Sequence, residues 1–328
     1  MTLPSTMTAV EITRAGGPEV LQATTRPVPQ PAAGEVLIRV AYAGINRHDC
    51  GQRSRGHGPA GATDIPGLEV SGEIVSAGPG VERWKPGDRA CALVNGGGYA
   101  QYCIASEATT LPIAEGFDMK LAAGLPEALM TAWFNVFMLG RLASGDWLLV
   151  HGGSSGVGSI AIQLAKLEGA RVVTTVGNAA KAEFCRTLGA DAVVNYREDD
   201  FVAAVKAATG GHGADVILDM VGSAYAGRNL DALAMDGRMV HLSSGAADFC
   251  LPLGAIMQKR AVITGSLLRA SSLEVKQEIV RQVTERVWPH LGSKVKPTVD
   301  SVLPLVQAGD AHARMESSVH IGKILLEC

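Results

Sequence analysis

The sequence predicts an α/β protein with a doubly wound parallel sheet and a second, β-rich domain. Three observations predict it. A loop reading HGGSSGVGS at 151–159 lies between a short apolar run and a helical pattern. From 146 to 265, strand-like and helix-like segments alternate. The first 120 residues instead carry short alternating strands separated by Pro- and Gly-rich turns.

Taken in order, the N-terminal part holds strands such as 35–40, with turns at 27–31, 77–80 and 85–88. Residues 146–150 form an apolar run of buried-strand length. After the loop, Val157, Ile160, Ala161, Leu164 and Leu167 recur at helical spacing and stop at Gly169, a C-cap signal. Strand 170–176 follows, then a helix over 179–188 ending at Gly189, strand 191–196 and a helix near 199–208. Strands at 215–221, 238–242 and 261–265 complete the alternation. Residues 272–288 read as a long amphipathic helix, and the tail from 296 to 326 returns to strand-like text. This places an interrupted β-rich domain at 1–121 and 268–328, with the alternating domain inserted at 122–267.

At 328 residues two domains are expected. The chain is 47% apolar and 19% charged with a formal net charge of −3, as in an ordinary core-forming protein. No basic stripe points to nucleic acid, and no apolar run is long enough to span a membrane. The start, MTLPSTMTAVEIT, lacks the pattern of a secretory leader, so the cytoplasm is the expected location. Six scattered cysteines contain no C-x-x-C pair, which argues against a zinc cluster and a disulfide framework.

The glycine loop carries the chemistry. Glycines on a strand-to-helix turn let the backbone approach a pyrophosphate at a helix N-terminus. Here Gly153, Gly156 and Gly158 give G-x-x-G-x-G rather than G-x-G-x-x-G. A tight turn packing one helix on one strand gives the same pattern. The next strand runs into Thr175-Val176-Gly177-Asn178 without the carboxylate that an NAD ribose normally meets, and Lys181 follows within a helical turn. That combination suits the 2′-phosphate of NADPH, although most lysines are simply solvated.

Longer blocks resemble a known family. They are Gly44-Ile45-Asn46-Arg47 with Gln52-Arg53, Ile65-Pro66-Gly67-Leu68-Glu69-Val70-Ser71-Gly72, and Leu125-Pro126-Glu127-Ala128. The loop itself, Ala161-Ile162-Gln163-Leu164-Ala165-Lys166, Asn195-Tyr196-Arg197, Ser266-Leu267-Leu268-Arg269 and His320-Ile321-Gly322-Lys323 continue the series. Together, over essentially the whole length, they resemble the zinc-independent quinone oxidoreductases of the medium-chain dehydrogenase/reductase superfamily, and within them the p53-inducible type. The resemblance implies a GroES-like catalytic domain and a Rossmann domain, NADPH as cofactor, a quinone or enone as small-molecule substrate, and a homodimer joined through an edge strand, for which 261–264 qualifies. In this family the shifted glycine spacing is the usual form.

Zinc-using relatives carry a cysteine where this chain has Asn46, and a histidine where it has Leu68; neither side chain here replaces a zinc ligand. His48, Asp49 and Cys50 are possible ligands by type, but consecutive residues rarely converge on one ion, and no metal is expected. Asn46 is implied near the nicotinamide and substrate, its amide able to donate or accept; a local turn is its other reading. Thr131 is implied beside the nicotinamide, or is a helix residue with a back-bonded hydroxyl. For the cofactor the implied residues are Ser154, Ser155, Gly156 and Val157 in the loop, and Gly177, Asn178, Lys181 and Tyr196 about the adenosine. Tyr196 reads equally as an aromatic covering the core. Val221, Gly222, Leu242, Ser243 and Ser244 lie at strand ends, Ser266, Leu267 and Leu268 resemble the segment that meets the carboxamide, and Lys323 completes the set.

The clearest departure is the loop 53–60. Relatives commonly place a substrate-facing tyrosine there, and here His57 falls nearest the position, either as a donor to a quinone oxygen or as a solvated loop residue. The expected reaction is hydride transfer from NADPH to a quinone in an interdomain cleft. An enone reductase and an NADPH-binding sensor with little turnover are the alternatives.

Overall fold

A computed structural model describes residues 3–58, 63–113, 116–243 and 248–328. The chain divides into two compact units: Met1–Glu127 with Leu273–Thr284 and Pro297–Cys328, and Ala128–Ser272 with Glu285–Lys296.

The chain enters the first unit through β1 (Thr6–Ile12) and β2 (Leu21–Pro27), an antiparallel pair. Next comes β3 (Glu35–Gly44), whose Val36, Leu37, Ile38, Val40 and Ala43 are all buried, as in a strand covered on both faces. α1 (Arg47–Arg55) follows it directly and stops at Gly56, whose φ of 80° is the left-handed turn that a glycine cap allows. β4 (Glu69–Ala77), β5 (Arg89–Leu93), β6 (Tyr102–Ser106), β7 (Thr110–Pro112), the single-turn α2 (Met119–Ala122) and α3 (Pro126–Trp133) come next.

The alternating region supplies β8 (Trp147–His151), α4 (Gly156–Leu167), β9 (Arg171–Val176), α5 (Ala179–Thr187), β10 (Ala192–Asn195) and α6 (Phe201–Ala208). It continues with β11 (Ala214–Asp219), α7 (Ala226–Ala232), β12 (Leu233–His241), α8 (Leu253–Lys259) and β13 (Val262–Gly265). These strands form one six-stranded sheet in the order β10-β9-β8-β11-β12-β13, every pair parallel. Successive strands move outward from β8 on one side and from β11 on the other, so the topological switch point lies between β8 and β11. β12 begins at Leu233 rather than at 238: its register against β11 shifts between Ala214 and Val216, and Asp236 sits at φ 62°, so its first half reads as a turn.

The chain closes with α9 (Leu273–Arg286), β14 (Val299–Pro304), α10 (Ala308–Ser317) and β15 (Lys323–Glu327). The tail is therefore not continuous strand. Ala308, Ala311, His312 and Met315 are buried at i, i+3, i+4 and i+7, the stripe that makes α10 a helix. In the first unit's main sheet the order is β14-β15-β3-β4-β5-β7, with β6 also paired to β3. The register sets Leu325 and Glu69 on either side of Gly44, so β15, β3 and β4 run side by side at the start of α1.

Candidate functional site

In the second unit the glycine loop leaves β8 at the switch point. Gly152 has φ 70°. A Cβ on Gly153 would lie 2.1 Å from Thr174 Oγ1, and one on Gly158 would lie 2.4 Å from the Gly152 carbonyl oxygen. These two glycines thus close-pack the helix on the strand, the tight-turn role their pattern allowed. Ser155 caps α4 by accepting from Gly158 N at 3.0 Å. The first-turn N–H groups of Gly156 and Val157 have no acceptor within the helix, as at any helix start, and are the groups that receive an anion. Ser154 is buried beside them, and Ser155 Oγ lies 3.6 Å from Met220 Sδ in the loop after β11. The loops after β8 and β11 therefore meet at the switch point.

β9 ends in Val176, followed by Gly177 and Asn178, and no Asp or Glu stands between 175 and 181. Asn178 caps α5, its Oδ1 accepting from Lys181 N at 2.9 Å. Tyr196 lies over Gly177, since a Cβ there would come within 2.7 Å of its Oη. At 41% exposure Tyr196 does not cover the core, which removes that reading. Gly177, Asn178, Lys181 and Tyr196 are thus neighbours.

After β11 the organising group is Asp219, which motif reading passes over as part of a strand. It is fully buried, and its oxygens accept from Val221 N at 2.7 Å and Gly222 N at 3.1 Å. Its Oδ2 lies 3.0 Å from His241 Nδ1. Burial works against ionisation, but the His241 ring and the two N–H groups outweigh it and hold the carboxyl below its ordinary range. The N–H groups of Val221 and Gly222 are consequently engaged inside the protein. Leu242 N donates to the Asp219 carbonyl at 2.8 Å, and Ser243 is exposed. Ser244 lies outside the described residues.

Thr131 and Ser266, far apart in sequence, are bridged by Asn135. Its Nδ2 donates to the Thr131 carbonyl at 2.8 Å, and its Oδ1 accepts from Ser266 Oγ at 2.8 Å. Asn135 belongs to a π-helical turn, Phe134–Leu139, that continues α3. Leu268 is buried, and Leu267 stands 70% exposed. His151 ends β8 fully buried, its ring nitrogens 3.0 Å from Thr175 Oγ1 and 2.7 Å from Asn229 Oδ1; burial lowers its pKa.

In the first unit Asn46 is the N-cap residue of α1, and Asp49 steadies that cap by accepting from Asn46 N at 2.8 Å. The Asn46 amide is doubly held. Its Nδ2 donates to Glu69 Oε1 at 3.0 Å, and its Oδ1 accepts from Lys323 Nζ at 2.7 Å. Lys323 and Glu69 form a buried ion pair, and Glu69 Oε2 accepts from Glu127 N at 2.9 Å. Lys323 therefore sits inside the first unit, paired with Glu69 and Asn46. Behind Asn46, Tyr99 Oη donates to Asp49 Oδ2 at 3.1 Å and lies 3.0 Å from His312 Nε2. His57 is exposed, with Nδ1 2.9 Å from its neighbour's carbonyl, Gly58 O; residues 59–62 of that loop lie outside the described residues.

Of the three adjacent ligand-type residues, Asp49 faces Tyr99, and burial pushes the Cys50 thiol up to about 12. Among the described residues no group of three or more His, Cys, Asp or Glu side chains could hold a metal ion.

Two family models match the chain: an alcohol dehydrogenase GroES-like domain over residues 32–115 and a zinc-binding dehydrogenase domain over 156–285. The quinone oxidoreductase of Rattus norvegicus is 32% identical over 326 residues, covering 98% of this chain and 97% of the relative. Quinone oxidoreductase 1 of Escherichia coli K12 is also 32% identical, over 327 residues, covering 97% of this chain and 99% of the relative. Among solved structures, an NAD-dependent alcohol dehydrogenase superposes with a TM-score of 0.86 at 32% identity, covering 98% of this chain and 100% of its own. A mycobacterial protein complexed with NADPH superposes with a TM-score of 0.87 at 30% identity, with the same coverage.

Proposed function

The chain belongs to the quinone oxidoreductase family of the medium-chain dehydrogenase/reductase superfamily, and from that premise we propose that it reduces quinones or related conjugated carbonyls with NADPH, without a metal. Family membership makes it an oxidoreductase working with a nicotinamide cofactor. The choice of NADPH rests on one observation: β9 is followed by Gly177 and Asn178 without a carboxylate, and Lys181 and Tyr196 stand beside them. That end of the strand would repel no 2′-phosphate and offers it a cation, an amide and a phenol.

When bound, the cofactor supplies a hydride from its nicotinamide. The protein's share is binding and orientation. The N-terminus of α4, with Ser154, Ser155, Gly156 and Val157, receives the pyrophosphate. Thr131 and Ser266, fixed through Asn135, and the segment at Leu267 and Leu268 orient the nicotinamide end, with Val221, Gly222, Leu242 and Ser243 flanking it. Asn46 offers a neutral amide donor to the acceptor oxygen. A quinone accepts electrons readily, so alignment and water exclusion serve where other acceptors need a Lewis acid. The site of action is the cytoplasm, as a homodimer joined through β13, one of the two edge strands of the six-stranded sheet.

Cofactor titration tests the reading. Lys181→Ala is expected to weaken NADPH binding by about tenfold or more and leave NADH binding within about twofold; equal losses reject the phosphate contact. NADPH oxidation should proceed with 1,2- or 1,4-quinones after exhaustive chelation, and more slowly with an enone of matched size. A reversed preference moves the acceptor to alkenes, and tight NADPH binding without oxidation of any acceptor makes the protein a sensor.

A further inference from the structure

The Asn46 amide is oriented by charge. Its oxygen meets the Lys323 ammonium at 2.7 Å, its nitrogen meets Glu69 Oε1 at 3.0 Å, and Lys323 is ion-paired to that same Oε1. The three groups close a ring. Turned over, the amide would set N–H against ammonium and oxygen against carboxylate, so only one orientation is compatible with its neighbours. Glu69 has no exposure, Lys323 4% and Asn46 9%, so water does little to screen the ring.

Two glycines make room for it. A Cβ on Gly44 would lie 2.2 Å from Glu69 Oε1, and one on Gly124 would lie 3.1 Å from Lys323 Cγ. The strand register does the rest, bringing the starts of β15 and β4 against the end of β3. An amide nitrogen carries two N–H groups, and the ring uses one.

We propose that Lys323 and Glu69 are positioning residues, which lock the Asn46 amide so that its second N–H is presented to a carbonyl oxygen. The site thereby selects acceptors with a hydrogen-bond-accepting oxygen beside the carbon to be reduced. This rests on the reading that Asn46 meets the acceptor.

The test combines kinetics with a readout that needs no turnover. Lys323→Met is expected to lower kcat for quinone reduction by about tenfold or more while the Kd for NADPH, measured by fluorescence, stays within about twofold. On an Asn46→Ala background, Lys323→Met should change kcat less than about twofold, because its effect passes through the amide. A tenfold rise in the NADPH Kd with kcat intact overturns the proposal and makes Lys323 a cofactor ligand. Additive losses overturn it as well, marking a merely structural pair. Amide-resolved NMR of the wild-type protein decides the lock itself, even where Lys323→Met fails to fold or no quinone is reduced. One Asn46 side-chain proton should exchange with solvent far more slowly than the other; equally fast exchange of both overturns the lock. Failure of quinone reduction with the slow proton present removes the acceptor reading and leaves the lock standing.

Discussion

The two units hold their polar groups ready by different means. In the second, the loops are held chiefly by side chains that reach backbone groups close by in sequence: Ser155 takes Gly158 N, Asn178 takes Lys181 N, and Asp219 takes Val221 N and Gly222 N, while Asn135 reaches Ser266 and Asp219 reaches His241 over longer separations. In the first, residues 46, 69 and 323 meet side chain to side chain, across a separation of 277 residues for Asn46 and Lys323. Local caps are independent of one another, and losing one costs little. The ring is cooperative, because removing Lys323 or Glu69 strands a buried charge and loosens the amide that both hold. A site built from caps degrades by steps; a site built from a charged ring fails at once.

The largest break in that contrast is Lys323→Met. Leaving Glu69 buried without its cation should cost about 3–5 kcal/mol in denaturant melts, and the Glu69→Gln/Lys323→Met pair should recover more than half of it. A double variant as unstable as the single one would mean that packing, not charge, holds the ring. Next is Gly158→Ala, which drives a methyl against the Gly152 carbonyl oxygen and should cost about 1–3 kcal/mol together with cofactor affinity. Ser155→Ala removes one cap and should cost about 1 kcal/mol, with little effect on the ring.

The smallest net effect is pH dependence near Tyr99, where two slopes oppose each other. Burial raises Asp49 from 3.8 to about 6, so the folded state binds its proton more tightly, and acidification from pH 6 to 4 adds stability. Burial, then Arg53, lowers His312 from 6.5 to about 3, so the unfolded state takes that proton first, and acidification below pH 6.5 removes stability. Asp49→Asn should therefore melt progressively lower as pH falls from 6 to 4, relative to wild type, and His312→Gln progressively higher. Scanning calorimetry across that range checks both signs.

The same contrast governs what could be read from sequence. The parallel sheet, the glycine turn and the missing acid after β9 are local patterns, and the fold and the surroundings of Lys181 follow from them. Only resemblance points to Asn46 and Lys323, and it gives Glu69 no role of its own, because no spacing rule links residues paired through strand register. Asp219 was hidden by the strand it ends. Asn135 was hidden in an apolar stretch whose π-helical turn no periodicity announces. α10 has a buried stripe of ordinary helical spacing, but Pro304 and Gly309 break the text around it and mask the pattern.

The pairing of β15 with β3 has a consequence for synthesis. Much of the second unit, from Ala128 to Ser272, is one uninterrupted segment that can begin to fold while translation continues. The ring cannot close until Lys323 has emerged, long after Asn46 and Glu69. During that interval the nascent chain carries a carboxylate and an amide destined for burial, and an unpaired edge on β3. Ribosome stalling or chaperone holding would fall most heavily on this half-built sheet, so soluble yield should depend on how fast the final strand is delivered.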